Sequence, residues 1–143
     1  MTEIKKEAVS LKTLLTPSKT VTIDYPEFEG FSVDLCYLSR EELLKLRSKS
    51  VSQKLNKKSR AFEEVLDQDK FLVEYVNAVI KNWKGLKFKY LEKLLLADVS
   101  DLDPEGMLEF TKENAEVMMK NSADFDAWVS ETVGDLENFT QNK

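Results

Sequence analysis

Histidine is absent from this chain of 143 residues. That removes the commonest general base, the Ser-His and Cys-His nucleophilic pairs, and most transition-metal sites. The one cysteine, Cys36, can form no internal disulfide, which fits a reducing compartment and excludes a cysteine-based zinc site. Any catalysis would have to run on carboxylates or lysine. Carboxylates concentrate at Asp98, Asp101, Asp103, Glu105 and Glu109, beside Pro104 and Gly106. The stretch resembles a calcium loop in composition only, because the alternate-position spacing of oxygen ligands and the closing Glu are missing. No convergent pair of carboxylates is recognisable either, so the expectation is no enzyme, no metal and no cofactor. Gly30, Gly85, Gly106 and Gly134 are too far apart to build a phosphate-cradling loop.

The cations concentrate elsewhere. Lys49 to Arg60, KSVSQKLNKKSR, carries Lys54, Lys57, Lys58 and Arg60 with few apolar anchors. A nucleic-acid patch would interleave aromatic residues with such cations, and none occurs here before Phe62 in a chain of net charge −5. The stretch reads as a solvated basic connector, or as a contact for an acidic protein surface, and nucleic acid is not an expected partner. Residues 1–60 hold net +4, residues 61–94 zero, and residues 95–143 net −9. Copies could therefore approach head to tail with opposite charges facing, so self-association is expected.

The elements that would carry these groups belong to one α+β domain, since the length suits a single core. Residues 1–18 read as a polar N-terminal arm in which Val9, Leu11, Leu14 and Leu15 could make a helical turn or an extended segment. Residues 19–143 are the domain, with a β-hairpin at 19–38 and a helical part at 39–139 interrupted by the basic connector at 49–60. KTVTIDY alternates Val21, Ile23 and Tyr25 with polar residues, and FSVDLCYL alternates Phe31, Val33, Leu35 and Tyr37, which predicts two strands around the PEFEG loop. A two-stranded sheet is barely stable alone, so it should pack on a bundle of about four to five helices. Ser39 and Glu42 have capping-box spacing and start a helix at Arg40. FLVEYVNAVIKNW, from Phe71 to Trp83, places an apolar stripe on half of a helix that would start near Asp67 and stop at Gly85, where an αα-hairpin would reverse the chain. Further helices are expected from near Lys87, from Thr111, and after Ser122. The last would carry Phe125, Trp128, Val129, Thr132, Val133, Leu136 and Phe139 on one stripe. No segment is long and apolar enough to cross a bilayer, and the polar start MTEIKKEAVS has no apolar signal region, so a cytoplasmic protein is expected.

Three stretches taken together resemble a known family. LLTPSKTVTIDYPEFEGFSVDLCYLSREELLKLRSKS, FLVEYVNAVIKNWKGLKFKYLEKLL and ENAEVMMKNSADFDAWVSETVGDLENF, spanning roughly residues 14–139, resemble tail assembly chaperones of long-tailed bacteriophages with siphovirus morphology. The characteristic pieces are Leu38 to Leu43, the Trp83-Lys84-Gly85-Leu86 turn, and Phe125-Asp126-Ala127-Trp128. The resemblance implies a non-enzymatic protein that keeps the tape-measure protein soluble while tail-tube protein is recruited and polymerises. It further implies residence in the host bacterial cytoplasm, absence from the mature virion, and a longer frameshifted form of which this chain would be the short version. On that reading, client contact is expected at apolar residues of the two best stripes: Tyr75, Trp83, Phe125, Trp128 and Phe139. The competing expectation is a structural virion protein of the head-tail connector or tail terminator type.

Overall fold

A computed structural model describes residues 8–16 and 18–140. The chain is mixed α+β and predominantly helical. Its first sheet forms as the alternation requires. β1 (Thr20–Asp24) pairs antiparallel with β2 (Ser32–Cys36), with Val21 opposite Leu35 and Ile23 opposite Val33. Val33 and Leu35 are buried, while Ser32 and Asp34, on the other face, are half-buried. The connecting loop does more than turn the chain. Phe28 and Phe31 enter the core, Phe28 stacks on Tyr90 with ring centroids 4.6 Å apart, and the Tyr90 hydroxyl donates to the Glu29 carbonyl at 2.7 Å.

α2 (Arg40–Lys49) begins where the capping box places it, the Glu42 backbone N–H donating to Ser39 Oγ at 3.2 Å. The basic connector that follows is in fact a two-stranded ribbon. β3 (Val51–Leu55) pairs antiparallel with β4 (Phe62–Leu66) around a tight turn, closed by the Asn56 backbone N–H donating to the Ala61 carbonyl at 2.9 Å. Asn56 Oδ1 accepts the Lys58 backbone N–H at 2.9 Å, and Arg60 takes φ 59°, the left-handed residue that closes a turn of this kind. Every residue of β3 is exposed, so no buried face imprinted an apolar alternation strong enough to read.

The long helix expected through Trp83 divides. α3 (Gln68–Val79) starts on Asp67, whose carboxylate accepts the Lys70 N–H at 3.1 Å, and ends before β5 (Ile80–Lys84). β5 joins the open side of β2, giving a three-stranded antiparallel sheet in the order β1-β2-β5. Leu35 faces Ile80 and Asp34 faces Asn82, so Lys81 is a bulged extra residue. The bulge turns Ile80 and Trp83 to the same buried side, and their three-residue spacing imitates a helix. Gly85 therefore ends a strand and makes no αα-hairpin. Its φ is 77°, and a Cβ there would lie 1.9 Å from the Gly30 carbonyl oxygen, so the position needs glycine on both counts.

α4 (Phe88–Leu94), α5 (Lys112–Asn121), α6 (Ala123–Gly134) and α7 (Glu137–Thr140) complete the domain, together with a short turn, α1 (Leu11–Leu14), in the arm. Thr111 and Ser122 cap α5 and α6, their hydroxyls accepting from Asn114 N–H at 2.9 Å and Phe125 N–H at 3.2 Å. α3 and α6 pack on β2, α5 packs on α3 and α6, and α4 packs on α6. The core between sheet and helices is rich in aromatic residues: Tyr25, Phe31, Trp83 and Phe125 are all buried there.

Candidate partner-binding surfaces

The five aromatic residues marked by the stripes divide sharply. Trp83, Phe125 and Phe139 are 4%, 0% and 2% exposed. Trp83 comes from β5, meets Phe110 edge-on at 5.1 Å, and donates its indole N–H to the Leu108 carbonyl at 3.1 Å. Phe125 lies between Tyr25 and Trp83, at 6.1 and 6.4 Å. Phe139 is not on the last long helix at all. α6 stops at Gly134, and α7 returns Phe139 against Tyr37 at 5.4 Å. These three are core residues in the folded chain and offer a partner nothing to touch. An apolar stripe shows that a helix face is covered, and here the protein's own sheet covers it.

Tyr75 and Trp128 are half-buried and remain accessible. Tyr75 sits in a surface cleft lined by α2, α3, α5 and α6 through Arg47, Phe71, Met119, Asp126 and Ser130. Burial raises its hydroxyl pKa and the Asp126 charge raises it further, partly offset by the nearby Ser130 side chain, so it is a neutral phenol at physiological pH. Trp128 packs edge-on against Tyr25 at 4.9 Å. It lies two residues from both Asp126 and Ser130, so it projects from the opposite side of α6. The fold does not bring the two accessible aromatics into one site.

Apolar surface is exposed in other places. Val9, Leu11, Leu14 and Leu15 of the arm are all exposed. Leu15 and Thr16 border a groove with Tyr37, Ser39, Glu42 and Leu136, over the buried ring of Phe139. The β3–β4 ribbon exposes Leu55 and Phe62, and the loop between α4 and α5 exposes Leu96, Leu102 and Met107. Of these, the arm was visible as a run of leucines. The ribbon could have been found from Leu55 and Phe62 flanking an Asn-Lys-Lys-Ser-Arg-Ala turn.

The acidic loop is tied by backbone hydrogen bonds to Leu86 and the start of α4. Phe88 N–H donates to the Gly106 carbonyl at 2.8 Å, Lys89 N–H to Pro104 at 3.2 Å, and Leu108 N–H to Leu86 at 2.8 Å. Glu105 bridges the Lys87 and Lys89 ammonium groups at 2.8 and 2.7 Å, and those two hydrogen bonds hold its carboxyl down at a pKa of about 2. The carboxylates Asp98 and Asp103 accept backbone N–H groups of Ser100 and Glu105, each at 3.0 Å. Their role there is to fix turns. Among the described residues no group of three or more Cys, Asp or Glu side chains converges as a metal site. No helix of the described residues is long and apolar enough to cross a membrane.

No family model, curated protein or solved structure matches this chain.

Proposed function

We propose that this chain is a non-catalytic tail assembly chaperone of a siphovirus-type bacteriophage: it binds and solubilises the tape-measure protein, helps recruit tail-tube subunits, and self-associates. The resemblance of its three long stretches to that family supports the reading. The observation that carries it physically is the apolar arm bordering the Tyr37–Leu136 groove, with Leu11 and Leu14 71% and 65% exposed. A free-standing domain gains nothing by leaving such side chains in water, whereas an amphipathic client helix laid along arm and groove would bury them. Contact then falls on the arm, the groove, Tyr75 and Trp128, and not on Trp83, Phe125 or Phe139.

The protein would act in the host bacterial cytoplasm and leave before the virion is complete. Mass spectrometry of infected lysates and purified particles tests this reading. A chaperone is found in the lysate and absent from particles. Stoichiometric presence in particles would overturn the reading in favour of a connector or terminator.

A further inference from the structure

The basic ribbon has three properties that no role within a single copy uses. It stands apart from the main sheet, β3 and β4 pairing only with each other. A lone two-stranded ribbon is marginal in water, so its order depends on what covers it. Its register puts Val51, Leu55, Phe62 and Leu66 on one face, where Phe62 is 70% and Leu55 53% exposed. The base of that face meets α2 in a notch lined by Leu44, Arg47, Ser48, Val51, Glu64 and Leu66. Finally, Lys54, Lys57, Lys58 and Arg60 form no ion pair among the described residues. Arg60 even holds its cation at φ 59°, where glycine would sit with less strain.

We propose that the apolar face of this ribbon and the basic turn at its tip, Lys57 to Arg60, are the docking site for the acidic α4–α5 loop of a second copy of the chain. The two surfaces complement each other in both kinds of chemistry. The loop presents Asp98, Asp101, Asp103 and Glu109, with no Lys or Arg between Asp98 and Glu109. It also exposes Leu96, Leu102 and Met107 for the apolar face of the ribbon, and its turns are held by hydrogen bonds before any partner arrives. The contact joins two different surfaces, so in a pair of copies one ribbon and one loop remain free. Association therefore propagates into a ring or a filament and does not stop at a dimer. This inference refines the self-association within the proposed function and is tested without a client, so its failure leaves client binding standing.

The test is sedimentation velocity of the purified full chain over a range of concentrations and salt. The wild-type chain is expected to form concentration-dependent oligomers whose apparent Kd rises about tenfold or more between about 0.05 M and 0.5 M NaCl. Lys57→Glu/Lys58→Glu should be monomeric, and Asp101→Lys/Glu109→Lys likewise. None of these four side chains makes a hydrogen bond among the described residues, so the fold should be retained. Mixing the two reversed chains should restore association, because the reversed basic turn of one copy then meets the reversed loop of the other with opposite charge. Leu55→Ser/Phe62→Ser should weaken association at every salt concentration. A wild-type chain that stays monomeric overturns the proposal. So does association that ignores both reversals, or mixing that fails to restore it. Salt-sensitive binding of DNA or RNA by a monomeric chain, lost in Lys57→Glu/Lys58→Glu, would overturn it in favour of a nucleic-acid role for the ribbon.

Discussion

Trp83 is the residue at which a core role and a partner-binding role make opposite predictions. Its side chain is 4% exposed, it meets Phe110 and Phe125 edge-on at 5.1 and 6.4 Å, and its indole N–H satisfies the Leu108 carbonyl at 3.1 Å. Trp83→Ala removes the transfer free energy of a large aromatic ring and leaves a cavity, a loss of about 3–5 kcal/mol. Trp83→Phe keeps much of the ring contact but leaves the Leu108 carbonyl without its donor, for about 1–3 kcal/mol. In a domain of this size the alanine variant should melt about 10 °C below wild type, and the phenylalanine variant should fall between. Guanidinium denaturation followed by tryptophan fluorescence and circular dichroism measures both, with Trp128 as the remaining fluorophore. Folded Trp83→Phe should bind a partner as the wild type does. A loss of less than about 1 kcal/mol in Trp83→Ala, together with abolished partner binding, would refute the core assignment.

Four other substitutions test the local arguments. Gly85→Ala places a Cβ 1.9 Å from the Gly30 carbonyl at φ 77° and should abolish folding, whereas Gly134→Ala, with nothing within 4 Å, should raise stability by about 0.5–1 kcal/mol; equal effects in thermal melts would contradict the geometry. Ser122→Ala removes the buried cap of α6 and should lose about 1–2 kcal/mol by chemical denaturation, and no loss would mean the 3.2 Å bond to Phe125 N–H contributes nothing. Glu105 has a folded pKa of about 2, below its ordinary 4.5, so its contribution is complete above about pH 4.5 and is lost as pH falls through about 2. The stability difference between wild type and Glu105→Gln should therefore shrink between pH 5 and pH 2, and a constant difference would refute the bridge.

What could be read from the residues was what local rules decide. The β1–β2 alternation, the Ser39 box and the Thr111 and Ser122 caps each depend on residues within one turn or one hairpin, and each stands where it was expected. The division of the Phe71–Trp83 stretch was not legible, because the bulge at Lys81 gives a strand the three-residue spacing of a helix. The β3–β4 ribbon escaped for the opposite reason, since an exposed strand need not alternate. The stripes located Trp83, Phe125 and Phe139 as covered residues but could not say by what. Long-range pairing with β2 and the return of α7 decided that the cover is the chain itself. Much of the accessible apolar surface lies on the arm, the ribbon and the acidic loop, which have little periodicity to read.

Under the proposed function, co-expression with the cognate tape-measure protein tests the central claim most directly, by measuring how much of that client is soluble and co-purifies. The chaperone reading predicts that the client is insoluble alone and soluble with the chain. It further predicts that Leu11→Ser/Leu14→Ser in the arm lowers the yield while the folded chain's melting temperature is unchanged. A client that stays insoluble, or that is soluble without help, would contradict it.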